Sequence, residues 1–333
     1  MTLRTLALLG CLAIVASAPC GADDLRVSHL YELSDFNGAV PYNDVILHAD
    51  RQHDEVYAVV GNNIRVFNQT GMEIYRFQHD AVESKILDLA VEESGDIFTL
   101  NLDPQAARGT RSWWINRCDY RGDVTSRIEI SGLPAEIEHF TPNRMSYRGG
   151  QFVLLSTSGL QVVTMDRSGS FRKLQDLAEL LQIDNPSSAE IAGFSIDRSG
   201  NMLFTISALF RAFVVAPDET VRTFGTPGSA PGKFGIVAGI VADDNGHYVV
   251  ADKLRRVVMV FDSSFRLVTE FAGSDKWALS RPTVLALGNA GRLYVTQSQK
   301  RGVAVLGLSS PSKDRTFDLR SSISNSVDSK TGL

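Results

Sequence analysis

The sequence predicts an all-β fold: a six-bladed β-propeller closed by its own N-terminal strand, with one short helix between blades three and four. Three observations predict it. The stretch 223–273 holds four apolar runs, at 236–242, 247–251, 256–261 and 266–271. They are separated by Asp243-Asp244-Asn245-Gly246, Asp252-Lys253 and Asp262-Ser263-Ser264. Runs rich in Val, Ile and Phe between such breakers read as antiparallel strands joined by tight turns. Four of them in roughly 45 residues make one blade. Secondly, turn residues recur near His53, Gly95, Gly149, Gly200, Gly246 and Gly291, at the spacing of about 42–54 residues that radial repeats show. Thirdly, the last blade is one strand short, while residues 25–33 (LRVSHLYEL) form an alternating apolar strand with no blade of its own.

Taken in order, blade one is expected at 45–49, 56–60, 64–68 and 73–78, with turns at Gly61-Asn62 and Gln69-Thr70-Gly71. Blade two is expected at 86–91, 96–100, 113–118 and 125–130, with a long connection, 101–111, that contains Pro104 and Gly109. Blade three, the most divergent, falls at 143–147, 152–156, 160–165 and 170–173. Leu174, Leu177, Ala178 and Leu181 then recur at i, i+3, i+4 and i+7, which predicts an amphipathic helix over 173–183, stopped before Pro186. Blade four resumes at Gly193, continues at 202–207 and 211–216, and ends at 221–224. Blade five is the stretch above. Blade six has 283–287, 292–296 and 303–306. Adding strand 25–33 as its outer strand covers two exposed edges at once. A seventh blade would need about 40 more residues of pattern than the chain offers.

Blade five resembles the NHL repeat, through Phe224-Gly225, Pro231-Gly232-Lys233-Phe234, Gly239-Ile240-Val241-Ala242-Asp243, Gly246, Tyr248-Val249-Val250-Ala251-Asp252, Val258-Met259-Val260-Phe261-Asp262 and Phe271. It departs from that pattern at Ile236-Val237, where the family usually has Pro, and at Leu254-Arg255, in place of the usual Asn. The resemblance implies a propeller of the TolB-like/NHL superfamily, whose members often present interaction surfaces.

The ends read differently. Arg4 followed by the apolar run 6–18, too short to span a bilayer comfortably, is the pattern of an export signal. Small residues in Cys20-Gly21-Ala22 place the cut after Ala22, whereas a cut after Ala18 would leave Pro19 at +1. The lipoprotein alternative at Leu8-Leu9-Gly10-Cys11 has too little apolar chain before Cys11. The expected organisation is a signal peptide over 1–22, a propeller over 23–308, and a disordered Ser-rich tail over 309–333. Secretion or release into the periplasm follows. Removal of the signal leaves Cys118 as the single cysteine, which excludes an intrachain disulfide and a multi-cysteine metal site. At 333 residues and 44% hydrophobic content the chain can bury a large core. A net charge of −5 without a basic stripe argues against nucleic acid, and no further segment has the length of a transmembrane helix.

Propellers bind at the mouth of the central channel, so the residue aligned with the Gly of the Gly239-Ile240-Val241-Ala242-Asp243 run was compared around the ring. It reads Ile46, Asp88, Arg144, Gly193, Gly239 and Val284, with Asp44, Asn143 and Thr283 nearby. Asp44, Asp88 and Arg144 are the candidate channel-mouth ligands, against the plainer reading of solvated or mutually paired side chains. A metal-dependent lactonase of the gluconolactonase type would need several acidic or Asn oxygens on one hard cation, and only Asn43, Asp44 and Asp88 offer them. A zinc lyase of the peptide-amidating type needs clustered histidines, whereas His29, His48, His53, His79, His139 and His247 are scattered. Asp197, Asp243 and Glu92 recur just before a turn and read as turn caps. Adjacent strand residues face opposite ways, so one ring of Trp113-Trp114 packs between blades. The other, with Arg108 and Arg111, is a candidate partner-binding surface, against the plainer reading that both rings pack between blades. The reading is a monomeric, non-enzymatic, exported platform for protein or glycan, needing no cofactor. Its alternative is a metal-dependent hydrolase, lactonase or lyase at the channel mouth, for which Ca2+ or Zn2+ would be required.

Overall fold

The computed structural model describes residues 25–35, 38–39, 45–79, 84–106, 111–138, 140–274, 276–300 and 302–309. The proposed signal 1–22, Asn43, Asp44, Arg108, His139 and the tail from 310 onward lie outside the described residues. Six four-stranded antiparallel sheets form the blades.

The chain enters through β1 (Arg26–Glu32) and a two-stranded ribbon, β2 (Ser34–Asp35) and β3 (Gly38–Ala39). Blade one is β4 (Ile46–Asp50), β5 (Glu55–Val60), β6 (Asn63–Phe67) and β7 (Glu73–Gln78). Blade two is β8 (Lys85–Val91), β9 (Ile97–Leu102), β10 (Trp113–Cys118) and β11 (Val124–Ile128); blade three is β12 (Arg144–Arg148), β13 (Gln151–Ser156), β14 (Gln161–Asp166) and β15 (Phe171–Asp176). Blade four is β16 (Ile191–Ile196), β17 (Met202–Ile206), β18 (Arg211–Val215) and β19 (Val221–Phe224); blade five is β20 (Val237–Ala242), β21 (Tyr248–Asp252), β22 (Val257–Phe261) and β23 (Leu267–Phe271). Blade six is β24 (Pro282–Leu287), β25 (Arg292–Gln297) and β26 (Val303–Ser309), completed on its outer edge by β1. The inner strands β4, β8, β12, β16, β20 and β24 neighbour one another in turn, and β24 returns to β4.

Closure rests on β1. It runs antiparallel to β26 from Arg26 opposite Ser309 to Glu32 opposite Ala304, with a bulge between His29 and Tyr31. Leu33 N–H donates to the Val303 carbonyl at 2.9 Å, and Ser34 N–H to Gly71 of blade one at 2.8 Å. Tyr31 lies over Gly71, where any Cβ would come within 2.6 Å of the ring, and its hydroxyl donates to Gln69 O at 2.6 Å. The His29 ring stacks on Trp277 at 3.9 Å. Leu25 and Leu33 are buried in two different core clusters, one shared with blade five and one with blade one.

The turns repeat one device. Asp197 and Asp243 after their inner strands, and Asn68, Asp119, Asp166 and Asp262 after their third strands, each accept N–H bonds from the residues two and four positions on. A short side-chain oxygen at that place mimics a backbone acceptor and locks the turn. Glu92, one methylene longer, instead accepts from Ser94 Oγ, Tyr147 Oη and Arg167. Asp252, fully buried at the end of β21, accepts from the N–H groups of Gly235, Ile236, Leu254 and Arg255 and so ties the loop entering blade five to its second turn.

One element differs from expectation. The helix expected at 173–183 is a single turn, α1 (Leu177–Leu180), because residues 171–176 continue as β15 and pair with β14 as far as Asp176 opposite Gln161. Asp176 then caps α1, accepting from Ala178 N at 2.8 Å and Glu179 N at 3.2 Å.

Two predictions follow from the closure and from the tight inner ring. Deleting residues 25–33 exposes the β26 edge and should lower the thermal midpoint by more than about 5 °C; an unchanged melting curve would rule out this closure. At Gly239 a Cβ would sit 2.6 Å from Thr283 O and 2.8 Å from Leu285 N of the next blade. Gly239→Val should therefore cost at least about 2 kcal/mol in denaturant unfolding, and a neutral result would mean that the inner strands are not in backbone contact.

Candidate functional site

The first strands of all six blades converge on a central cavity of about 500 Å3. It opens on the face that carries the first-to-second strand turns. Its wall is apolar where Ile46, Leu89, Met145, Phe194, Val241 and Leu285 face inward. Asp88 and Arg144, two of the three channel candidates, come together here on adjacent blades.

Asp88 is buried, and both of its carboxylate oxygens are committed: Oδ1 accepts from Leu89 N and Oδ2 from Met145 N of blade three, each at 2.8 Å. Burial pushes its pKa up from 3.8 to about 6, against the opposing pull of Arg144. Arg144 donates to Asn143 O at 2.8 Å. At the equivalent position Gly193 packs against Ala238 O and Gly239 against Thr283 O, so these two face the neighbouring blade and offer nothing to a ligand. The same geometry explains Asp88: a side chain placed there meets the next blade's backbone and bonds to it.

Sequence reasoning missed His48, which lies deep inside the ring and keeps some surface toward the cavity. Its Nε2 accepts from Val91 N of blade two at 3.3 Å, which leaves the proton of the neutral ring on Nδ1. Burial holds its pKa down near 4. Ser195 Oγ donates across to Ile240 O of blade five at 2.7 Å. The bonds of His48 and Ser195, like that from Met145 N to Asp88, cross from one blade to its neighbour.

The rim was missed as well. Asp244 takes a bidentate pair from Arg51, at 2.6 and 2.9 Å, and another bond from Arg198 at 2.9 Å. Asn289 Nδ2 donates to Arg51 O at 2.7 Å, and Arg148 donates to the carbonyls of Asp197 and Arg198. Arg51, Arg198, Asp244 and Asn289 each stand second in their turn, so aligning the turns as well as the strands would have exposed the alternating charge. Among the described residues no three His, Cys, Asp or Glu side chains stand together as a metal site.

At the outer edge of blade two, Trp113 is 1% exposed; it donates from Nε1 to Phe140 O at 2.7 Å and packs edge-on to that ring. Of the candidate surface residues Arg108, Arg111, Trp113 and Trp114, Trp113 belongs to the core between blades two and three. Trp114 is half-buried beneath Arg127, whose guanidinium lies 4.4 Å from the ring centre, and Arg111 is exposed and donates to Ile130 O at 3.1 Å. Together they line a shallow cavity of about 400 Å3. Cys118 is buried, and its thiol pKa is pushed up to about 12, which suppresses the thiolate.

No protein-family model matches this chain, and no curated protein does. Solved structures do match. Virginiamycin B lyase from Staphylococcus aureus is 10% identical, with a TM-score of 0.56 over 86% of this chain and 100% of that one. An auxiliary nutrient binding protein from Bacteroides ovatus is 12% identical, with a TM-score of 0.57 over 86% and 77%. A chain of the nidogen/laminin complex is 14% identical, with a TM-score of 0.51 over 78% and 88%. At such identities the likeness is one of fold, the six-bladed propeller. No helix among the described residues is long and apolar enough to cross a membrane.

The two buried titrating groups make opposite contributions. Native Asp88 keeps its proton up to about pH 6, while the unfolded chain releases it near 3.8; its stabilisation is present at low pH and lost as pH rises through that window. Native His48 stays neutral down to about pH 4, while the unfolded chain protonates near 6.5; its stabilisation is present above 6.5 and lost as pH falls. Asp88→Asn removes one slope, so the variant's thermal midpoint should climb more steeply than the parent's as pH rises from 4 to 6.5. Parallel curves would show that Asp88 is ionised throughout.

Proposed function

We propose that this chain is an exported, non-enzymatic propeller of the NHL type that serves as a binding platform for a protein or glycan partner. One observation carries the reading: five polar side chains of the central cavity and its rim, Asp88, His48, Ser195, Arg51 and Arg198, are bonded to a different blade of the ring. Asp88 and His48 hold backbone N–H groups of a neighbouring blade, Ser195 holds a neighbouring carbonyl, and Arg51 and Arg198 hold Asp244. A general acid or base needs an atom turned to the substrate; here Asp88 Oδ2 and His48 Nε2 are each bonded to a backbone N–H of the next blade. The surface pair Arg111 and Trp114 supports a partner contact at the edge of blade two, since a stacked aromatic beside an arginine is the composition of interface anchors. NHL membership is supported by the blade-five motif, and export by the pattern of residues 1–22. The compared lyase and binding proteins share the fold, and their activities are not transferred at 10–14% identity.

The reading is tested on the mature chain, beginning at Asp23, by elemental analysis and by assays for lactone and ester hydrolysis. Metal-free, inactive protein that retains a cross-linked partner is expected. Stoichiometric Ca2+ or Zn2+, lost on Asp44→Ala or Asp88→Ala together with measurable turnover, would replace the platform with a metal-assisted hydrolase or lyase.

A further inference from the structure

The face opposite the rim carries a groove of about 500 Å3 between blades four and five, lined by Phe210, Gly228, Ser229, Phe234, Gly235, Leu254 and Arg255. Its floor, Phe234, is fully buried in the core shared by these two blades. Its walls are exposed and apolar: Leu254 is 64% exposed and Phe210 37%, with Leu209 and Ile236 exposed beside them. Clustered exposure of large apolar side chains marks an interaction surface, whereas single ones mean little.

Phe210 adds a second observation. It ends the turn between β17 and β18 with φ +53°, a left-handed conformation that a bulky residue adopts only at a cost and that Gly adopts freely. An aromatic ring is thus kept on the surface where the backbone favours no side chain at all.

Blade three shows what such a residue receives when it is covered. There the corresponding turn ends in Leu160, also left-handed at φ +51°, yet only 1% exposed. The segment that begins with α1 packs over it: Leu177 N–H donates to Leu160 O at 2.8 Å, and Leu177, Ala178, Leu180, Leu181 and Ile183 share its apolar cluster. Together with the last three residues of β15 it reads LQDLAELLQID over 174–184, which is leucine-rich and carries Asp176, Glu179 and Asp184 with no cation. No such segment follows blade four; its connection passes alongside the groove through Gly228, Ser229, Phe234 and Gly235.

Charge specifies the occupant further. The three segments that build the groove, 207–211, 226–236 and 253–256, contain Arg211, Lys233, Lys253, Arg255 and Arg256, in a chain whose net charge is −5; the carboxylates against them are the fully buried Asp252, which accepts from four backbone N–H groups, and Glu270. Arg255 is already engaged by Glu270 at 2.6 Å, while Arg211, Lys233 and Arg256 are exposed. We infer that this groove docks a short leucine-rich, acidic amphipathic segment of a partner protein, which seats its apolar face against Phe210 and Leu254 and its carboxylates against the basic rim. The inference deepens the platform reading and rests on it.

The probe is a fluorescent peptide of residues 174–184, held helical by a hydrocarbon staple between positions 175 and 182, titrated with the full mature chain. Saturable binding with a Kd on the order of 10–100 µM is expected. It should weaken about tenfold when the three acidic peptide residues are replaced by Lys, and about tenfold again in Phe210→Gly or Leu254→Ser protein. Phe210→Gly should at the same time keep or raise the thermal midpoint, a split that a merely structural Phe210 would not produce. A flat titration, or binding indifferent to both substitutions, overturns the proposal. So does a dimer in sedimentation velocity that Leu254→Ser disperses, since a second copy would then occupy the groove. Bound metal and turnover would defeat the platform reading without touching this titration, and a flat titration defeats the groove alone.

Discussion

Residues at opposite ends of the propeller sequence, Arg26–Glu32 and Val303–Ser309, share one antiparallel ladder, and the rest of the structure depends on that pairing. A ring of sheets has two problems at its seam. The last blade exposes an edge strand, and nothing holds the last blade to the first. The N-terminal strand answers both, because β1 covers the edge of β26 while Tyr31 and Ser34 reach on to Gly71 and Gln69 of blade one. The β1–β26 contact spans nearly the whole propeller, so its entropic cost is paid in a single closure and is offset by the ladder, by the stacking of His29 on Trp277, and by burial of Leu25 and Leu33.

Closure in turn forces the inner strands together. Where they approach most closely the sequence has Gly193 and Gly239, since a Cβ would strike the backbone of the next blade. Beside these glycines, polar side chains bond across from blade to blade: Asp88 to Met145, His48 to Val91, Ser195 to Ile240. Buried polar groups without partners would be expensive. Paired as they are, they fasten blade to blade and leave a cavity whose chemistry is largely spent on architecture.

The two faces of the disc differ as a result. On the cavity face, Asp244 of blade five is paired with Arg51 of blade one and Arg198 of blade four. On the opposite face, the turns of blades four and five pair Arg255 with Glu270 and carry the exposed Arg211, Lys233 and Arg256 beside exposed apolar side chains. Blade three solves the same local problem within the chain, by laying α1 and the residues after it over Leu160.

What the sequence determined by itself was the repeat of the blades. Strand alternation, turn residues and their spacing were enough to place six blades, and the leftover strand 25–33 against the three-stranded last blade was enough to predict the seam. They also brought Asp88 and Arg144 into the channel, because both align with one position of the repeat. Tertiary structure alone decided the rest, since it turns on distances between blades that no local pattern encodes. It shortened the helix to one turn by extending β15, buried Trp113 while leaving Trp114 beneath Arg127, and placed His48 within the ring. It also set Arg51 of blade one on Asp244 of blade five, 193 positions apart, and left Phe210 bare where Leu160 is covered. Burial and pairing across a closed ring are properties of neighbours in space, and the chain specifies those neighbours only once the ring has shut.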